Sequence, residues 1–176
     1  MNTVSAKSSL SVETQLQYRD NFARHILGIA LYVQSEIMNA LTLKHGHNRL
    51  RLNFEPYITL AGNEGARLSD IADILGISRQ AANQTANQIE DAGYLQRTPD
   101  PTDGRAKLLT RTPRASAMVQ QGAREAARVQ AQFADLAGDD EVASATLTFA
   151  RLNKQLGLWL PGQDNGDPLL AGVLPR

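Results

Sequence analysis

Between Leu68 and Arg111 the chain reads as two short helices joined by a tight turn and followed by a β-hairpin with a charged tip, and this stretch constrains the fold more than any other: LSDIADILGISRQAANQTANQIEDAGYLQRTPDPTDGRAKLLTR. Ile71, Ala72 and Leu75 share one face of a short helix over 69–75. Ala72 is small enough to let a second helix cross closely. Gly76 ends the helix, because the left-handed backbone that closes it is easiest for glycine. Ile77 is expected to plug the turn into the core, and Ser78 to cap the next helix with its hydroxyl. That helix runs over 79–92, with Ala82, Ala86 and Ile89 as its buried stripe. Gly93 stops it. Residues 94–97 and 106–111 then read as two strands joined by TPDPTDG, a run of turn formers followed at once by Arg105.

Two short helices joined by a tight turn and followed by a charged hairpin make a winged helix-turn-helix. In that shape one helix enters a DNA major groove while the hairpin tip reaches the neighbouring minor groove. The outer face of the second helix carries Arg79, Gln80, Asn83, Gln84 and Asn87, with no carboxylate before Glu90. Amides pair with adenine N6 and N7, and arginine with guanine O6 and N7. At the hairpin tip Asp103 is expected to hold Arg105 by charge-assisted hydrogen bonds, aiming it into the narrow, electronegative minor groove. The plainer alternative is a solvated helix face and a surface ion pair of little energetic value. The position after Gly76 and Ser78, and before a basic hairpin, favours groove reading. The candidate DNA-contacting residues are Ser78, Arg79, Gln80, Asn83, Gln84, Asn87, Arg97, Asp103, Arg105 and Lys107.

Composition narrows the partner. The 176 residues carry 18 Lys and Arg against 18 Asp and Glu, a net charge of zero that argues against a general polyanion binder. From Tyr94 to Arg114, however, Arg97, Arg105, Lys107, Arg111 and Arg114 outnumber Asp100 and Asp103. A neutral chain with a basic wing suits sequence-selective binding. The absence of cysteine excludes disulfides, zinc fingers and thiol chemistry, and is compatible with a cytoplasmic location. No apolar run approaches the roughly 18 residues of a membrane span, and the N-terminus lacks the apolar segment of a secretory signal, so no membrane partner is expected.

The flanks read as helices. Residues 1–12 are polar and are expected to be flexible. A long helix over 13–43 aligns Phe22, Ile26, Ile29, Val33 and Ile37, and Gly46 breaks it. A helix over 49–61 follows, with Pro56 in its middle expected to kink or shorten it. After the wing, Thr112 and Pro113 are placed to start a long helix. Ala115, Val119, Gly122, Ala126, Val129, Phe133 and Leu136 form a coiled-coil-like seam along it. Beyond Gly138, Val142, Ala145, Phe149, Leu152, Leu156 and Trp159 form a second, ended by Pro161-Gly162, and 163–176 is expected to be a flexible tail. Such seams suit either an intramolecular bundle or a dimer interface, and periodicity alone does not choose.

Enzymatic signatures are absent: there is no HExxH, GxSxG, P-loop or GxGxxG. Asp70 and Asp73 suit a solvated helix start better than paired catalytic carboxylates. A metal reading of His25, His45 and His47 needs further ligands that the sequence does not place, so they read as surface histidines; no metal or cofactor is expected.

The elements LGIS-R, IE-x-x-G-Y-L-x-R and D-x-x-D-x-R, with the helical flanks on both sides, resemble the MarR family of bacterial transcription regulators. Gln84 stands where many relatives have a basic residue, Thr85 where an apolar one is usual, and Arg111 where leucine is common. The resemblance implies a mainly α fold with a small β-wing. Its parts are a dimerisation helix (13–47), a winged helix-turn-helix (48–111) and C-terminal dimerisation helices (112–162). It also implies a homodimer on a palindromic operator in double-stranded DNA, repressing more often than activating. The regulator would often be released from DNA by a small-molecule effector, bound in a pocket whose candidate lining is Phe22, His25, Ile29, Phe54 and Tyr57. The alternative reading is a winged-helix protein-interaction module that no longer binds DNA.

Overall fold

The computed structural model describes residues 21–157. The first described helix, α1 (Phe22–Asn39), starts where Asn21 is extended and its side chain accepts from the Arg24 amide at 2.9 Å. This cap sets the start of α1; expectations for 1–20 and 158–176, including Trp159, lie outside the described residues. A wide π-helical turn (Ala40–Lys44) extends α1 and delivers Leu41 into the core. Residues Phe22–Lys44 have the length and composition of a membrane-crossing helix, with a mean hydropathy of 1.4. This departs from the expectation that no stretch is so apolar: Arg24, His25, Gln34, Ser35 and Glu36 interrupt the apolar residues without lowering the average far. Here the helix lies along the protein: Arg128 Nη2 donates to Glu36 at 2.9 Å, and Leu41 joins the core.

A single 3-10 turn (Leu52–Phe54) leads into α2 (Glu55–Ala61). Pro56 falls in the first turn of α2, where its missing N–H costs no hydrogen bond, so it starts the helix and does not kink it. The helix is correspondingly shorter than the 49–61 expected. Next come β1 (Ala66–Arg67), α3 (Leu68–Leu75), α4 (Arg79–Asp91), β2 (Leu95–Pro99) and β3 (Lys107–Arg111). The three strands form an antiparallel sheet in the order β1-β3-β2, with Ala66 opposite Leu109 and Leu95 opposite Arg111. The two-residue β1 carries no alternating pattern, and period counting does not reveal it.

The helix-turn-helix forms for the local reasons expected. Gly76 is left-handed at φ 64°, and the Ile77 amide donates to Ala72 at 3.0 Å. Ile77 itself is 38% exposed, so its backbone secures the turn and its side chain does not plug the core. Ala82, Ala86 and Ile89 are wholly buried, together with Ile71, Ala72, Phe54, Ile58, Tyr94 and Leu109.

Thr112 caps α5 (Pro113–Ala137), its hydroxyl oxygen accepting from the Ala115 amide at 3.2 Å. The buried face of α5 is Ala115, Met118, Glu125 and Val129, rotated from the expected seam; Val119 and Leu136 are exposed. The rotation follows from a polar cluster. Glu125 points inward because Lys44, His45 and Arg128 surround its carboxylate. Helix α6 (Asp139–Leu156) buries no residue and leaves Leu147, Phe149, Leu152 and Leu156 exposed.

Candidate nucleic-acid interface

Helix α4 is the second helix of the motif. Its inward alanines let it approach α3 closely, and its outward side chains Arg79, Gln80, Asn83, Gln84 and Asn87 are all exposed. Ser78 is the cap: its Oγ accepts from the Ala81 amide at 3.2 Å, a structural task at the start of α4. Arg97 on β2 is tied to α4. Its Nη1 pairs closely with Glu90 Oε2, and its Nη2 donates to Asn83 Oδ1 and to Asn87 Oδ1, each at 3.0 Å.

The wing is locked from its base. Asp100 is buried; its Oδ1 accepts from the Thr102 amide at 2.8 Å and hydroxyl at 2.7 Å, while its Oδ2 accepts from Arg67. These bonds favour the ionised carboxylate, and the Thr102 bonds, ahead of Arg67, hold its pKa down to about 2. The loop closes further through Ala106 N to Asp103 O at 2.8 Å and Asp100 N to Ala106 O at 3.1 Å. Asp103 does not reach the Arg105 guanidinium as expected. Its Oδ1 accepts from the Arg105 backbone amide at 3.1 Å, and its Oδ2 lies 3.7 Å from Arg67 Nη2. Asp103 therefore shapes the turn, because its short side chain meets the amide two residues on before it can meet a long guanidinium. Arg105 and Lys107 project as exposed cations from the tip and from β3.

Arg67 and Asp100 are the contributors that sequence reasoning missed. An Asp two residues before Thr102 is an Asx-turn signal for Asp100; Arg67 had none. Arg111, unusual at the end of the wing, donates to the carbonyls of Ile58 at 2.6 Å and Thr59 at 3.1 Å. It thereby satisfies acceptors at the end of α2.

Two of the histidines are not on the surface. His47 is buried with Nδ1 2.9 Å from Tyr94 Oη and Nε2 2.7 Å from Gln121 Oε1, and half-buried His45 meets Glu125 Oε1 at 2.9 Å. Both work as hydrogen-bonding links between the winged helix and α5, which local sequence does not report. His25 is exposed. The five candidate effector residues do not meet in one cavity. Phe54 and Tyr57 belong to the buried core, Ile29 is exposed, and Phe22 lines a groove against α6 with Ser144, Ala145 and Phe149. No cluster of three or more metal-ligating side chains exists among the described residues.

Residues 58–106 match the family model described as the MarR family. Among solved structures the chain is similar to the transcriptional regulator Tm0710 of Thermotoga maritima, at 21% identity and TM-score 0.56, over 77% of this chain and 92% of that one. It is also similar to CouR of Rhodococcus jostii bound to p-coumaroyl-CoA, at 19% identity and TM-score 0.54, over 76% and 92%. The apo form of MarR from E. coli gives 14% identity and TM-score 0.56, over 76% and 97%. No curated protein matches the sequence significantly.

Proposed function

We propose that this chain, which has the fold of the MarR-family transcriptional regulators, is itself a sequence-specific DNA-binding regulator. One observation carries the reading: the exposed amide and arginine side chains of α4, with no carboxylate before Glu90, lie beside a wing held by Arg67 and Asp100 that presents Arg105. Helix α4 is taken to enter the major groove through Arg79, Gln80, Asn83, Gln84 and Asn87, and Arg105 the adjacent minor groove. Lys107 supplies a backbone contact, and Asp103 and Ser78 hold the loop and the helix start in position.

The working form in this reading is a cytoplasmic homodimer on a palindromic operator. Leu27, Ile29 and Leu31 on α1, and Leu147, Phe149, Leu152 and Leu156 on α6, are exposed apolar side chains that a second copy would cover. Repression relieved by a small molecule completes the proposal. Support comes from CouR, a transcriptional repressor solved both on a 23-mer DNA duplex and with p-coumaroyl-CoA.

Selection from randomised duplex DNA, followed by affinity against salt, tests the reading. An enriched palindrome, bound two chains to a duplex and more weakly as salt rises, is the expected result. Absence of enrichment would favour a protein-interaction module.

A further inference from the structure

We infer that Arg97 is a specificity-positioning residue, fixing the amides of Asn83 and Asn87 so that both face DNA as hydrogen-bond donors only. The inference rests on the DNA-binding reading above and deepens it.

The chemistry of the three side chains decides the orientation. Arg97 Nη2 lies 3.0 Å from Asn83 Oδ1 and 3.0 Å from Asn87 Oδ1. A guanidinium has only N–H donors, so an amide turned the other way would set NH2 against NH2. Each asparagine must therefore present its oxygen to Arg97 and its NH2 elsewhere. Glu90 Oε2 accepts from Nη1 of the same guanidinium and keeps its fork from swinging away. Arg97 and Glu90 are both largely shielded, with side chains 28% and 23% exposed, whereas Asn83 and Asn87 are exposed. Asn83 and Asn87 stand one helical turn apart, so one arginine sets two neighbouring readers.

An unconstrained asparagine pairs with adenine by donating to N7 and accepting from N6. With the oxygen turned toward Arg97, it no longer lies beside the NH2 at the base edge, and the paired donor-and-acceptor contact to adenine is lost. Guanine offers two adjacent acceptors, N7 and O6, and thymine offers O4; adenine keeps the acceptor N7 but sets its N6 donor against the asparagine NH2, and cytosine offers only a donor. The bases facing Asn83 and Asn87 are accordingly guanine or thymine. Arg97 acts through the two asparagines and not as a direct contact to DNA.

Selection from randomised duplexes by the full chain tests this. Asn83→Ala and Asn87→Ala locate the positions each side chain reads, as those where preference relaxes. At these positions the wild type should favour guanine or thymine over adenine by about tenfold. Arg97→Met, which keeps the aliphatic stem and removes the donors, should move the preference toward adenine there and leave other positions unchanged. If Arg97→Met loses helical circular dichroism, Arg97→Lys, charged but without the fork, should give the same shift in weaker form. Adenine at the mapped positions in the wild type overturns the inference while leaving DNA binding intact. So does an Arg97 variant that weakens all sequences equally and lowers the salt slope by about 1, the behaviour of a phosphate contact. A wild type that enriches no sequence overturns the DNA-binding reading and this inference together.

Discussion

Asp100 Oδ2 accepts two hydrogen bonds from Arg67, one from Nε at 2.8 Å and one from Nη2 at 2.6 Å. The pair joins the end of β1 to the base of the wing. Replacing Arg67 with alanine leaves a buried carboxylate without its counter-ion, and the wing should loosen around it. The amides of Asp103, Arg105 and Ala106 should then exchange hydrogen faster by an order of magnitude or more, while helical circular dichroism stays unchanged. Wing protection equal to wild type would show that Thr102 alone holds Asp100.

Arg105 is exposed, and the loop holds it through its backbone amide. Arg105→Ala should therefore leave the melting temperature within experimental error. On the selected operator it should weaken binding by about 1–3 kcal/mol and reduce the salt slope by about 1. Titration by fluorescence anisotropy measures both, and wild-type affinity would remove Arg105 from the interface.

Gly65 and Gly122 should respond oppositely to alanine. Gly65 sits at φ +88°, and an added Cβ would lie 2.8 Å from Thr110 Cγ2 and 3.2 Å from Leu109 O. The strained backbone alone costs of order 1–3 kcal/mol, and the collision adds to it. Gly122 lies within α5, where an added Cβ would sit 3.8 Å from Leu41 Cδ1, ordinary van der Waals contact. Gly122→Ala should stabilise the fold by up to about 1 kcal/mol through helix propensity. Urea unfolding of the two variants distinguishes these signs.

Tyr94→Phe isolates the link between the winged helix and α5. Tyr94 is wholly buried and its Oη lies 2.9 Å from His47 Nδ1. Removing the hydroxyl leaves the buried imidazole nitrogen unpaired, at a cost of about 1–3 kcal/mol. The same equilibrium unfolding measures it, and a change near zero would mean that the ring packing alone joins the two parts.

Acid should unfold the protein through two carboxylates. Lys44 at 2.7 Å, with His45 and Arg128, holds the Glu125 carboxyl at about 2 instead of 4.5. Asp100 is held at about 2 instead of 3.8. In both, the unfolded chain binds the proton more readily, so stability rises with pH across the interval. Their contribution is complete above about 4.5, declines as pH falls, and is lost below about 2. Glu55, raised by burial, acts in the opposite sense. The urea midpoint of wild type should fall steeply over that window, and Glu125→Gln should flatten the slope; an unaltered slope would assign the effect elsewhere.

The parts of the fold that were legible in advance depend on near neighbours in the chain. Gly76, Ser78 and Thr112 act within one helical turn, through backbone handedness or a capping hydroxyl, and all three stand as read. The parts that were not legible depend on partners far away. Ile77 looked like a core residue because it is apolar, but the turn leaves it at the surface. His47 looked like a surface residue because it is polar, but Tyr94 and Gln121 satisfy it inside, and Lys44 does the same for the buried Glu125.

By itself, the sequence determined the helix-turn-helix, the hairpin and the outward face of α4, since periodicity and capping are properties of consecutive residues. Only the tertiary structure decided which polar groups meet. Arg67 finds Asp100 across 33 positions, and Arg111 finds the Ile58 carbonyl across 53. Arg97 turns two asparagines whose orientation no local pattern encodes. A hydrogen bond between distant residues exists only once the chain has folded, and here such bonds set the direction of the wing and of the side chains proposed to read DNA.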